Sequence, residues 1–240
     1  MNKIIVDIRK ELKKSTNPKT KESFNRFFKE PVKAYGVSSG VVSRIGKRYW
    51  QELVKDLSKK EIFFLCEELL KSDYCEEAFI VCNWCPRLTV SFEKKDMKIF
   101  KIWINKYINN WAKCDSFCNH TIGSLILKYP ELVKELKVWA KSKNQWMKRA
   151  SAVSLVVPAR KGLFLKEIFE ISDILLLDKQ DMVQKGYGWV LKEASKKNEK
   201  KVFDYVFKNK EVMPRTALRY AIELMPKPLK EKAMKKGSRI

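Results

Sequence analysis

Glycine and proline are scarce in this chain, eight of each in 240 residues, too few for more than punctuation between regular elements. No run of alternating β-branched residues with a hairpin signal occurs, which argues against a sheet. No apolar stretch approaches the ~18 residues that a membrane-spanning helix needs, and no lipidation motif is present. The opening MNKIIVDIRKELKK is charged and amphipathic, without the apolar core or cleavage site of a secretion signal. A cytoplasmic location is therefore expected, with no membrane partner. Also missing are a glycine-rich phosphate loop, a G-x-S-x-G elbow, an H-E-x-x-H helix and the H-x-E with P-C-x-x-C of zinc deaminases.

Acidic residues are the most telling shortage. Twenty-eight Asp and Glu face 51 Lys and Arg, for a net charge of +23. Repulsion on that scale weakens a compact state, so a polyanionic partner is implied. Six cysteines would permit three disulfides, but a large chain with no secretion signal is expected to keep its thiols reduced. Cys82-Asn-Trp-Cys85 and the group Cys114, Cys118 and His120 imitate a zinc site. Both sit in helical patterns rather than on glycine-bearing knuckles, so free buried cysteines and no metal are expected.

What is plentiful is helical periodicity. Hydrophobic residues make up 45% of the chain and aromatics 12%, enough for a substantial core. Leu53 and Leu57, then Ile62, Leu65 and Leu69, recur mostly three and four apart, and Ser58 with Glu61 forms a capping box that opens a helix at Lys59. Further helices are expected over Phe92–Tyr107, from Pro130 through Trp139, from an Asn144 cap to a stop at Pro158, over Asp181–Lys197, and between Pro214 and Pro226. Glu30–Trp50, with Gly36, Gly40 and Gly46, reads as a looser stretch, and the chain after about Pro228 as a frayed basic tail. Short helices on short connectors, alternately apolar and Lys-rich, suit antiparallel pairs stacked into an α-solenoid with a concave basic face; a compact bundle is the other arrangement they allow. One all-α domain over 1–240 is expected, with helices 1–50 capping it.

Three constellations carry possible chemistry. In Val183–Lys197, Lys185, Trp189, Lys192 and Lys196 fall on one face at spacings of four, three and four. Indole among ammonium groups suits a nucleic acid, since lysine meets phosphate while the ring packs on sugar or base; a core Trp flanked by solvated lysines is the plainer alternative. Gly186 and Gly188 in the same helix imply a close approach, by a neighbouring helix or by a nucleic-acid backbone. In Asn110-Trp111-Ala-Lys-Cys-Asp115, Trp111 and Asp115 share a face if the segment is helical throughout; otherwise Asp115 is an N-cap. A fixed carboxylate beside an aromatic is what hydrolysis of a glycosidic bond needs, because loss of a base leaves an oxocarbenium-like sugar. His120 is the less attractive base. In Gln145-Trp146-Met-Lys148-Arg149, the guanidinium could grip a phosphate through paired hydrogen bonds or serve in a salt bridge.

The order W-x-x-x-D at Trp111 and Asp115, W-x-x-R-A at Trp146–Ala150 and Q-K-x-x-G-W-V-L-K-E at Gln184–Glu193 resembles the AlkD-like DNA alkylation repair proteins. Arg26-Phe27-Phe28-Lys29 followed by Tyr35-Gly36-Val37, and Pro130-Glu131-Leu132, are similar to other parts of that family, so the likeness spans most of the chain. It implies HEAT-like helical repeats around duplex DNA and excision of N3- and N7-alkylated purines by a monomer that needs no cofactor. It implies Asp115 as catalytic carboxylate, with Trp111 and Trp189 on the lesion's sugar and Arg149 on the backbone beside it. Lys148, Lys185, Lys192 and Phe27 complete the implied DNA contacts, Phe27 standing where the family often has Tyr. A non-catalytic module that binds damaged or branched DNA is the alternative.

Overall fold

The computed structural model describes residues 3–29 and 31–235, and all regular structure among them is helical. The chain divides into two compact units, Met1–Phe117 and Cys118–Ile240.

In the first unit, helix α1 (Lys3–Lys14) buries Ile5, Ile8 and Leu12, the three-and-four spacing of an amphipathic stripe. Asn17 caps α2 (Pro18–Phe27) by accepting from the Thr20 amide at 3.1 Å, and Pro18 occupies the first turn, where its missing N–H costs nothing. Residues 31–38 carry no regular secondary structure. Helix α3 (Ser39–Asp56) follows, so Gly40 and Gly46 are helical and the expected loose stretch shrinks to its first part. The periodic apolar side chains of α3 outweigh the two glycines, which cost only about 1 kcal/mol each. Gly36, at φ +88°, is the glycine there that the backbone requires.

The capping box of α4 (Lys59–Lys71) is present in both directions, between Ser58 and Glu61. Next come α5 (Cys75–Trp84), a 3₁₀ stretch over Cys85–Ser91, α6 (Asp96–Tyr107) and α7 (Trp111–Phe117). The helix expected from Phe92 starts four residues later, because Asp96 accepts from the Glu93 amide at 2.8 Å and turns the chain there. Helix α5 packs against α3, α4 and α7. Phe63, Phe100, Trp103 and Phe117 meet ring to ring, with centroids 5.5 to 6.1 Å apart.

The second unit opens with a π-helical turn, Cys118–Ile122, followed by α8 (Gly123–Lys128), a 3₁₀ turn at Pro130–Leu132 and α9 (Val133–Ala140). Asn144 caps α10 (Gln145–Val153) as expected, accepting from the Trp146 amide at 2.8 Å. The chain then breaks at Ser154–Leu155 and α11 (Val156–Arg160) carries Pro158 in its first turn. The proline therefore sits inside a new helix rather than stopping the old one, at a position where its absent amide would have had no partner. Helices α12 (Leu165–Leu175), α13 (Asp181–Asn209), α14 (Arg215–Ala221) and α15 (Lys227–Met234) complete the unit. Helix α13 packs against α10, α11, α12 and α14. It runs twelve residues past the expected end at Lys197, kinked at Asn198 (φ −138°, ψ 45°). The tail expected to fray after Pro228 is helical to Met234, with Ala233 buried; the remainder, 236–240, lies outside the described residues.

No helix of the described residues is long and apolar enough to cross a membrane. All six cysteines are free, and among the described residues no three His, Cys, Asp or Glu side chains converge as a metal site would require.

Candidate active site and nucleic-acid interface

Helix α7 is defined by its cap. Asn110, 6% exposed, accepts from the Lys113 amide at 3.0 Å through its side chain, which makes Trp111 the first helical residue. Asp115 is therefore interior to the helix and not its cap. It lies one turn after Trp111 on the same face, and both are half-buried. The start of α7 is bolted to the turn between α4 and α5 by Lys113, whose side chain is almost wholly buried. Its Nζ donates to the Asp73 carbonyl at 2.8 Å, to Asp73 Oδ1 at 2.6 Å and to Asn109 Oδ1 at 3.0 Å. A lysine out of water needs such partners, and here they are complete. Nothing in the periodicity signals this buried cation, since Lys113 looks like one of many surface lysines.

The opening segment is fixed from the same quarter. Buried Glu76, at the start of α5, accepts from three successive amides: Tyr35 at 3.1 Å, Gly36 at 2.8 Å and Val37 at 3.0 Å. Neighbouring Glu77 accepts from Arg9 and from the Tyr35 hydroxyl, the latter at 2.7 Å. Tyr35-Gly36-Val37 is thus a carboxylate-bound strap rather than a contact surface. Just before it, Phe27 and Phe28 stand against Trp111, with ring centroids 5.3 and 5.5 Å away. With Phe24, Phe79 and Ala112 they line an apolar cleft of about 360 Å³, and Phe27 is 68% exposed at its edge. The first unit therefore groups Phe27 and Trp111 in direct contact, with Asp115 one turn along α7.

The second unit groups the other five residues on α10 and α13. Arg149 is 5% exposed, and its Nη1 donates to the Met182 carbonyl. Gly186 explains the room it has: a Cβ there would lie 3.2 Å from Arg149 Cγ. Gly188 faces α14 instead, where a Cβ would come within 2.7 Å of Tyr220 Cβ and 2.8 Å of the Ala217 carbonyl. Of the two close approaches the glycines allowed, both belong to neighbouring helices. The lysines carry partners of their own: Lys148 pairs with Asp178, Lys185 with Asp181 at 2.8 Å and Lys192 with Glu223 at 3.0 Å.

Trp189 is half-buried, and its Nε1 donates to Glu193 Oε1 at 3.2 Å. The second Glu193 oxygen takes Arg160 Nε at 2.8 Å and Lys196 Nζ at 2.6 Å. Burial by itself would raise this carboxyl's pKa, but the hydrogen bonds from Arg160, Lys196 and Trp189 outweigh burial and hold it at about 2. The folded pKa lies below the ordinary 4.5, so the stabilisation is complete above about pH 4.5 and is lost as pH falls toward 2. Glu193→Gln should lower the melting temperature at neutral pH, and the gap from wild type should close between pH 4.5 and 2, as pH-dependent melts would show. A gap constant down to pH 2 would refute the assignment.

Residues 8–225 match the model of the DNA alkylation repair enzyme family. The chain belongs to that family. Among solved structures it is similar to a predicted DNA alkylation repair enzyme from Enterococcus faecalis, with a TM-score of 0.79 and 16% identity over 89% of this chain and 98% of that one. It is also similar to smu.31 from Streptococcus mutans UA159, with a TM-score of 0.57 and 21% identity over 78% and 98% of the two chains. At those identities the likeness is one of fold. No curated protein matches the chain. As a member of the DNA alkylation repair enzyme family it has a role in repairing alkylated DNA, which gives the +23 charge its partner. Three buried charges escaped the sequence reading: Lys113, Glu76 and Glu193, which bond to the turn before α5, to the amides of residues 35–37 and to the Trp189 indole.

Proposed function

We propose that the protein is a DNA glycosylase that excises N3- and N7-alkylated purines, such as 3-methyladenine and 7-methylguanine, from duplex DNA. The observation that carries this reading is the half-buried Asp115 carboxylate one turn beyond Trp111, on a helix anchored at its start by Asn110 and Lys113. A cationic alkylpurine is already a good leaving group. As its bond to C1′ breaks, the bonding pair passes to the base and neutralises it, and positive charge develops on the sugar. Asp115 stabilises that charge and aligns the water that adds to C1′, whose proton is then released. No second carboxyl is needed as general acid.

In this reading Trp111 and Trp189 pack on the deoxyribose, Arg149 engages the adjoining backbone, and Lys148, Lys185 and Lys192 lie near phosphates. Phe27 offers an apolar edge where a tyrosine would offer a hydroxyl. The deciding experiment is release of methylated purines from methylated duplex DNA by purified protein. Tight binding without base release would overturn the glycosylase reading and leave a damaged-DNA binder.

The ion pairs of the lysines give a second test. A phosphate approaching Lys148 must share it with Asp178. Asp178→Asn keeps an acceptor for the Gln180 amide but removes the competing charge, so DNA affinity should rise about three- to tenfold at low salt. Fluorescence anisotropy across a salt series measures this, and an unchanged dissociation constant would take Lys148 out of the interface.

A further inference from the structure

The last residue of the Gln184–Glu193 motif has no role in the chemistry above, yet it is the most heavily engaged acid of the second unit. Glu193 is 4% exposed and sits one turn after Trp189 on α13, so its side chain lies against the indole. One oxygen receives the indole N–H at 3.2 Å; the other receives Arg160 from α11 and Lys196 from the next turn of α13. An indole has a single donor and otherwise rotates about two side-chain bonds, so one directed hydrogen bond to a fixed acceptor selects its orientation. The acceptor is itself fixed, because two cations from two helices hold its far oxygen. Their charges also offset its own, so the carboxylate adds little repulsion toward a phosphate.

We propose that Glu193 is a positioning residue: it sets the plane of the Trp189 ring through the indole N–H and so determines how the ring meets the sugar of the damaged nucleotide. This rests on the glycosylase reading for its catalytic consequence, but not for the orientation itself. Glutamine at the same place cannot serve both sides. If its amide oxygen faces Arg160 and Lys196, its NH₂ confronts the indole N–H, and two donors meet.

The test combines a resonance and a rate. In ¹H–¹⁵N spectra the Trp189 indole signal is assigned by its disappearance in Trp189→Phe, a variant that leaves Glu193 with Arg160 and Lys196. In Glu193→Gln that signal should move upfield, as a lost hydrogen bond requires, while the other tryptophan indole signals hold their places. Single-turnover base release should fall about tenfold with DNA affinity within about threefold, because the indole is displaced rather than removed. In a Trp189→Phe background the same substitution should have no further effect on rate.

An unmoved Trp189 signal overturns the proposal, and so does an undiminished Glu193 effect in the Trp189→Phe background. If Glu193→Gln is too unstable to study, Arg160→Gln loosens the same carboxylate from a half-exposed position and should shift the same signal; a still signal there refutes the idea. If wild-type protein releases no base, the glycosylase reading falls, and the resonance alone decides whether Glu193 orients the ring.

Discussion

Replacing Asp115 by Asn should slow base release by at least ~100-fold while leaving DNA affinity equal or slightly tighter. The substitution preserves volume, and the fold around it does not lean on the carboxylate for a cap, because Asn110 performs that task. On the proposed mechanism, what disappears is a negative charge facing a sugar that becomes positive. Two unit charges about 4 Å apart at an effective dielectric of 20 interact by about 4 kcal/mol, close to three orders of magnitude in rate. Duplex DNA in its ground state feels the same charge with the opposite sign. On a chain of net +23, one fewer carboxylate favours the polyanion. Binding and turnover should therefore part company, which a merely structural Asp115 would not bring about. Single-turnover release of 7-methylguanine together with anisotropy titrations measures both. Equal losses in the two would mean the residue supports the fold, and full activity would remove it from the mechanism.

How much of this was legible beforehand depended on whether a signal was local. The Ser58–Glu61 capping box, the Asn144 cap and the stripe of Ile5, Ile8 and Leu12 are relations between residues three or four apart, and helix geometry alone reads them. Asp115 was ambiguous because an aspartate can open a helix or sit inside one. What decides is Asn110, whose side chain caps α7 through the Lys113 amide, an expectation the sequence reading did not hold. Pro158 misled for a similar reason: proline ends a helix or begins one, and the break at Ser154–Leu155 decides which. The lysines of α10 and α13 were read as cations awaiting phosphate. Their acids, Asp178, Asp181 and Glu223, lie on other turns or other elements, and only the folded chain brings Asp178 to Lys148 and Glu223 to Lys192. Buried Glu76 and Glu77 left no mark at all, and Glu193 stood only as the last letter of a family motif, because a carboxylate is written the same way whether it meets water or three amide hydrogens.

Gly188→Ala should be the most damaging single-methyl change in the second unit, lowering stability by about 2–3 kcal/mol and the melting temperature by roughly 5–10 °C. The added carbon would stand 2.7 Å from Tyr220 Cβ, 2.8 Å from the Ala217 carbonyl and 3.2 Å from Ala217 Cα. Two of those three atoms are backbone, so no rotamer change relieves the clash, and α13 and α14 must separate. The helix propensity that alanine adds, up to ~1 kcal/mol, is too small to compensate. Two other glycines calibrate the claim. A Cβ at Gly40, exposed in the first turn of α3, meets nothing within 4 Å, so Gly40→Ala should be neutral or stabilise by up to about 1 kcal/mol. Gly186→Ala meets Arg149 Cγ at 3.2 Å, so that buried arginine must give by a few tenths of an ångström; the loss of stability should be smaller than at Gly188, and DNA affinity should fall. Thermal melts should therefore place Gly40→Ala highest, Gly186→Ala next and Gly188→Ala lowest, a spread that helix propensity, which favours alanine equally at every site, does not produce. If Gly188→Ala melts with wild type, α13 and α14 are not in close contact at Gly188.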